Sequence, residues 1–152
     1  MMTALVPSKA DGYYNAHDIS AALPTFAHYL RLGEYRTCLS GKMHFTGPDQ
    51  LHGYEERLTT DIYPSDFGWN PNWGEPDAKV TFQNMTNVLE TGPCLWSSQI
   101  DYDDDVATKA CRWLCDRPRA ESTKPFMLTV SFTSPHEPYG ARPKYWDLYT
   151  DD

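Results

Sequence analysis

YRTCLSGKMHF, residues 35 to 45, is the stretch that decides the fold. Its first half reads as a buried strand, with Tyr35, Thr37 and Leu39 alternating against Arg36 and Cys38. Its second half turns polar at Gly41, Lys42 and His44. Upstream, PTFAHYLRL (24 to 32) predicts a short helix. Pro24 suits the first turn, Phe26, Tyr29 and Leu30 share a face, and Gly33 supplies the stop. Downstream, residues 46 to 100 form a long irregular excursion, whose aromatic residues Tyr63, Phe67, Trp69, Trp73, Phe82 and Trp96 argue against disorder. From Asp101 the period becomes helical, with DYDDD at the positive end of the helix dipole and Val106, Ala110 and either Trp113 or Leu114 along one side, until Pro118 ends it. KPFMLTVSFTSPHEPY (124 to 139) then predicts a continuous apolar strand from Phe126 to Phe132. It breaks at Thr133 and delivers His136 into a Pro-flanked loop. This order of elements predicts an α/β fold with a mostly parallel sheet. Neither a repeat nor a linker interrupts it, so residues 1 to 152 read as one unit without an internal boundary.

The net charge of −8 argues against nucleic acid as a partner, because a polyanion is held by clustered Lys and Arg. A cationic or zwitterionic ligand fits that field. No apolar run approaches the roughly 20 residues that span a bilayer, and no stretch resembles a signal peptide. The four cysteines, Cys38, Cys94, Cys111 and Cys115, contain no CxxC pair and read as reduced packing residues, which favours the cytoplasm.

Two predicted strands end alike, one on Gly41, Lys42 and His44, the other on Ser134, Pro135 and His136. In open α/β sheets ligands bind outside the carboxyl ends of the strands, so both loops should meet at one mouth. There Lys42 as a point charge and His44 and His136 as donors would clamp a tetrahedral oxyanion. Residue type alone leaves the plainer alternative open, a solvated Lys and a structural His. His17, His28 and His52 lack such placement and read as surface or helix residues. Trp69 and Trp73 are either an aromatic wall for a quaternary ammonium or pins that hold a long loop to the core. DYDDD reads as a capping patch rather than a Ca2+ loop, which spaces its ligands around a Gly turn. Asn84-Met85-Thr86 matches a glycosylation sequon by pattern only.

LPTFAHYLRLGEYRTCLSGKMHFTGPDQLHGYEERLTTDIYPSDFGW (23 to 69), with KPFMLTVSFTSPHEPYGARPKYWDLY (124 to 149), closely resembles the choline-sulfatase branch of the type I sulfatases, in the alkaline-phosphatase-like superfamily. The resemblance implies a sulfuric ester hydrolase that converts choline O-sulfate to choline and sulfate. It implies a formylglycine made from Cys or Ser, and one divalent metal ion, usually Ca2+ or a similar ion. By similarity Lys42 and His44 bind and polarise the sulfate group, and His136 binds sulfate and aids release of the alcohol. Asn15 and Trp69 resemble parts of the pocket for the choline head. Rival readings are a related phosphonate or phosphodiester hydrolase, which the run from His44 to Trp69 argues against, and a degenerate zwitterion-binding protein without catalysis.

The departures from the branch matter as much. Its C/S-x-P-S-R nucleophile motif and its metal-binding Asp pairs do not occur in this chain, so no metal ligand is assigned, and Ser134 stands where the branch often has His. The expectation is an internal fragment of a sulfatase N-terminal catalytic domain, with a partial sulfatase-like sandwich and an incomplete sheet. Exposed strand edges and inactivity of the chain alone would follow. The intact parent is expected to form homo-oligomers.

Overall fold

The computed structural model describes residues 1–12, 16–62, 74–75, 85–119 and 123–149. Its centre is the quoted stretch: β1 (Arg36–Gly41) pairs in parallel with β2 (Glu56–Arg57) on one side and with β4 (Phe126–Ser131) on the other. The sheet order is β2-β1-β4 with both pairings parallel, in line with the mostly parallel sheet that the sequence predicted.

The alternation expected along β1 does not occur, because Thr37, Cys38, Leu39, Ser40 and Gly41 are all buried. The reason is that helices cover both faces. On one face Leu39 packs with Ala27 of α1 (Phe26–Leu32), Met2, Phe45 and Tyr54. On the other, the Ser40 hydroxyl donates to the carbonyl of Val106 in α3 (Ser98–Asp116) at 3.0 Å. A parallel strand buried on both faces loses the polar–apolar rhythm of a half-exposed one. Burial also pushes the Cys38 thiol up to about 12, with Glu56 adding to the effect.

α1 is capped by Thr25, whose N–H donates to His28 Nδ1 at 3.1 Å and whose hydroxyl donates to the His52 carbonyl at 2.6 Å. Tyr29 does not share the buried face, being 62% exposed. His28 and His52 are therefore not bystanders. His52 is buried, with its ring 4.4 Å from that of Phe45 and its Nδ1 3.5 Å from Asp49.

The long helix starts three residues before Asp101, because Ser97 accepts the Ile100 N–H at 3.2 Å and fixes the cap there. Only Asp101 of DYDDD lies in the first turn, so the remaining acidic residues serve other contacts. Trp113 is buried and Leu114 exposed, which settles the helix face. Trp113 Nε1 donates at 2.7 Å to Glu56, whose carboxylate also takes Arg36 Nε at 3.0 Å, so α3 is tied to the β2 edge. Within the former excursion lie α2 (Thr86–Leu89) and β3 (Gly92–Pro93), which pairs with β5 (Gly140–Ala141) ahead of α4 (Pro143–Trp146).

β4 forms its full register with β1, yet Phe126, Met127 and Val130 are each at least 36% exposed. Of the cysteines, all unpaired, only Cys38 is buried, and Cys111 and Cys115 stand exposed on α3 rather than packing. Among the described residues no helix is long and apolar enough to cross a membrane.

Candidate anion-binding site

The site is built where β1 and β4 end together. Gly41 is registered with Ser131, and the next N–H, that of Lys42, donates to the Ser131 carbonyl at 2.9 Å. Gly41 has φ +120, and a Cβ there would lie 1.9 Å from the Ser131 oxygen. Only glycine allows the two backbones to approach so closely in that conformation. The Gly41 N–H turns away from the sheet to Thr59 Oγ1 at 2.8 Å.

Beyond Gly41 the chain bends through His44, held at φ 58. That left-handed backbone, unfavourable for a residue with a Cβ, is maintained from outside the loop. Asp61 Oδ2 accepts the N–H groups of Met43 and His44 at 3.1 and 2.8 Å. The same oxygen takes Arg57 Nη2 at 3.1 Å, and both side chains of the pair are more than nine-tenths buried. Arg57 also donates to the Gly41 carbonyl at 3.2 Å and to Gln50 Oε1 at 2.8 Å, with Phe45 beneath its guanidinium.

A second carboxylate holds the other loop. Asp103, from within α3, accepts the N–H groups of Thr133 and Ser134 at 2.6 and 3.0 Å. Its neighbour Tyr102 donates to the Thr60 carbonyl at 2.8 Å, which joins this brace to the segment carrying Asp61. His136 closes a turn onto the Thr133 carbonyl, and its Nδ1 lies 3.0 Å from the Glu137 carbonyl and 3.1 Å from the Glu137 carboxylate. His136, Ser134, Phe132 and Asp103 line a cleft of about 470 Å³ together with Arg142 and Tyr139. Arg142 pairs with Asp104 at its rim, and that hydrogen bond holds the Asp104 carboxyl below its ordinary range.

The sequence-predicted residues thus divide. Lys42, His44 and His136 stand on neighbouring strand ends, joined by the hydrogen bond from Lys42 N–H to Ser131, though only His136 lines the cleft. Asn15 and Trp69, with Trp73, lie outside the described residues. The carboxylates Asp61 and Asp103 and the Arg57 guanidinium escaped sequence reasoning, since an acidic residue in a loop or helix does not reveal that it will accept main-chain N–H groups. Among the described residues no group of three or more His, Cys, Asp or Glu side chains is placed to hold a metal ion.

The chain is 50% identical over 155 residues to the choline-sulfatase of Rhizobium meliloti (strain 1021), a match that takes in 99% of this chain. It spans 30% of the length of that relative. No protein-family profile matches it. In structure the chain is similar to the phosphonate monoester hydrolase of Agrobacterium radiobacter, with a TM-score of 0.59, 20% identity, and coverage of 98% of this chain and 33% of that one. That likeness shows the fold, an α/β architecture with parallel strands that matches a third of that chain.

Proposed function

We propose that this segment supplies the sulfate-holding loops of a sulfuric ester hydrolase acting on choline O-sulfate. The observation that carries the reading is the shared end of β1 and β4, where the Lys42 N–H donates to Ser131 and both polar loops leave the sheet together. The 50% identity to a choline-sulfatase supports the substrate class.

In this reading Lys42 places a compact positive charge against the sulfuryl oxygens, and His44 donates beside it. Charge that builds on those oxygens as the ester bond stretches is then met by donors already fixed in place, which need no reorganisation. His136, with Nδ1 against Glu137, binds sulfate and gives a proton to the departing choline oxygen. Asn15 and Trp69 receive the trimethylammonium head, for which the chain's net charge of −8 is favourable.

A formylglycine hydrate would supply the nucleophile and a divalent ion such as Ca2+ would neutralise the ester. The residues described here do not form the metal's ligand set, so no step is derived through it. Nor does Cys38 stand where that nucleophile could reach a substrate, since it is fully buried within β1. The same proposal includes a cytoplasmic location, supported by four unpaired cysteines, and a homo-oligomeric parent.

The test is sulfate release from choline O-sulfate by the longest product of the reading frame, beside a phosphonate monoester as rival substrate. Preferential turnover of choline O-sulfate is expected. Binding of choline with no sulfate released would replace the enzyme reading by that of a binding module.

A further inference from the structure

We infer that Asp61, locked by Arg57, is a positioning residue that sets the placement of Lys42 and His44, an inference that rests on the sulfate-holding role proposed above. Three observations carry it. The first is convergence on one atom: Asp61 Oδ2 takes the consecutive N–H groups of Met43 and His44 and one arm of Arg57, all within 3.1 Å. The second is burial, since the side chains of Arg57 and Asp61 are 8% and 9% exposed, where a lost charge partner is not replaced by water. The third is the conformation that this grip maintains, His44 at φ 58. Arg57 extends the lock by reaching the Gly41 carbonyl, so the guanidinium and carboxylate together hold both ends of the segment that contains Lys42.

The consequence is directional. Two N–H groups on one carboxylate fix the peptide planes on either side of the Met43 Cα, the planes that lead from Lys42 into His44, and with them the point from which His44 leaves the backbone. A swing of one ångström there would separate His44 and Lys42 from the oxyanion they are proposed to share, a misplacement that costs on the order of 100-fold in rate. Asp61 touches no substrate in this scheme and acts through the loop alone.

Asp61→Asn keeps the shape and removes the charge. In the 152-residue chain, or the longer product of its reading frame, the amides of Met43 and His44 should exchange with solvent about 10- to 100-fold faster in the variant. The amides of Leu58 and Tyr54, bonded to Leu39 and Leu51, should exchange as in wild type. For choline O-sulfate kcat should fall by a factor of at least about 10 while KM changes less. Should Asp61→Asn fail to fold, Arg57→Lys retains the charge, loses the forked donor set, and should loosen the same two amides by a smaller factor. Unchanged exchange at Met43 and His44 overturns the inference, as does an equal rise at every amide, and so does a loosened loop with wild-type kcat. If wild-type enzyme releases no sulfate, the functional reading fails by that result, and the exchange comparison alone decides whether Asp61 holds the loop.

Discussion

Replacing Gly41 by alanine should break the junction on which the site depends. The new Cβ would meet the Ser131 oxygen at 1.9 Å, its carbonyl carbon at 2.7 Å and its nitrogen at 2.9 Å, so backbone rather than a yielding side chain blocks it. The φ of +120 adds about 1–3 kcal/mol of strain for any residue with a Cβ. Parting the strands also weakens the hydrogen bonds from Lys42 N–H to Ser131 and from Gly41 N–H to Thr59, each contributing about 0.5–1.5 kcal/mol. The combined cost is about 2–6 kcal/mol, a large share of the roughly 5–15 kcal/mol that holds a domain together. Urea unfolding followed by tryptophan fluorescence measures it, with the buried Trp113 as reporter. Gly92→Ala is the control, because a Cβ there has no heavy atom within 4 Å, and it should change stability by less than about 0.5 kcal/mol. A Gly41→Ala protein within about 1 kcal/mol of wild type would refute the close-approach reasoning.

Two further outcomes follow from burial and charge. The Cys38 thiol, raised from 9.0 to about 12 by burial and then by Glu56, holds about a thousandfold less thiolate at pH 8 than it would at its ordinary value. Alkylation followed by mass spectrometry should therefore label the exposed Cys111 and Cys115 first, and labelling of Cys38 at the same rate would contradict the packed two-faced strand. Burial alone would raise the Asp49 carboxyl, but the N–H groups of His52 and Leu51, with the charges of His52 and His28, outweigh it and hold the group below 3.8. Its stabilising contribution is then complete above pH 3.8 and is lost only as the pH falls through the lowered value. Asp49→Asn should destabilise by less than about 1 kcal/mol at pH 7 and by nothing measurable once wild-type Asp49 is itself protonated. A difference that persists in acid would assign the effect to something other than the charge.

The parts of the fold legible in sequence were those governed by local chemistry. Pro24, Gly33 and Pro118 bracketed helices, and the apolar run from Phe126 marked a strand, because each feature acts within a few residues of itself. The alternation expected in β1 failed because its burial is set by α1 and α3, elements distant in sequence. The start of α3 was misplaced since Ser97, one polar residue among several, becomes the cap only when its hydroxyl accepts the Ile100 N–H. Lys42, His44 and His136 could be nominated from the residue types at strand ends. Asp61 and Asp103 could not, because their role lies in main-chain N–H groups that sequence does not distinguish. His52 was passed over as a surface or helix residue for a similar reason: its burial is a consequence of the turn around Asp49 and of Phe45, not of its own character.

The central claim is that the two strand-end loops form one anion site, and the most direct measurement is a sulfate titration of isotope-labelled protein observed by NMR. The account predicts that signals of Lys42, His44 and His136 move together with a single dissociation constant, and that Lys42→Ala abolishes the response at both loops. Movement of one loop without the other, or two separate constants, would contradict it.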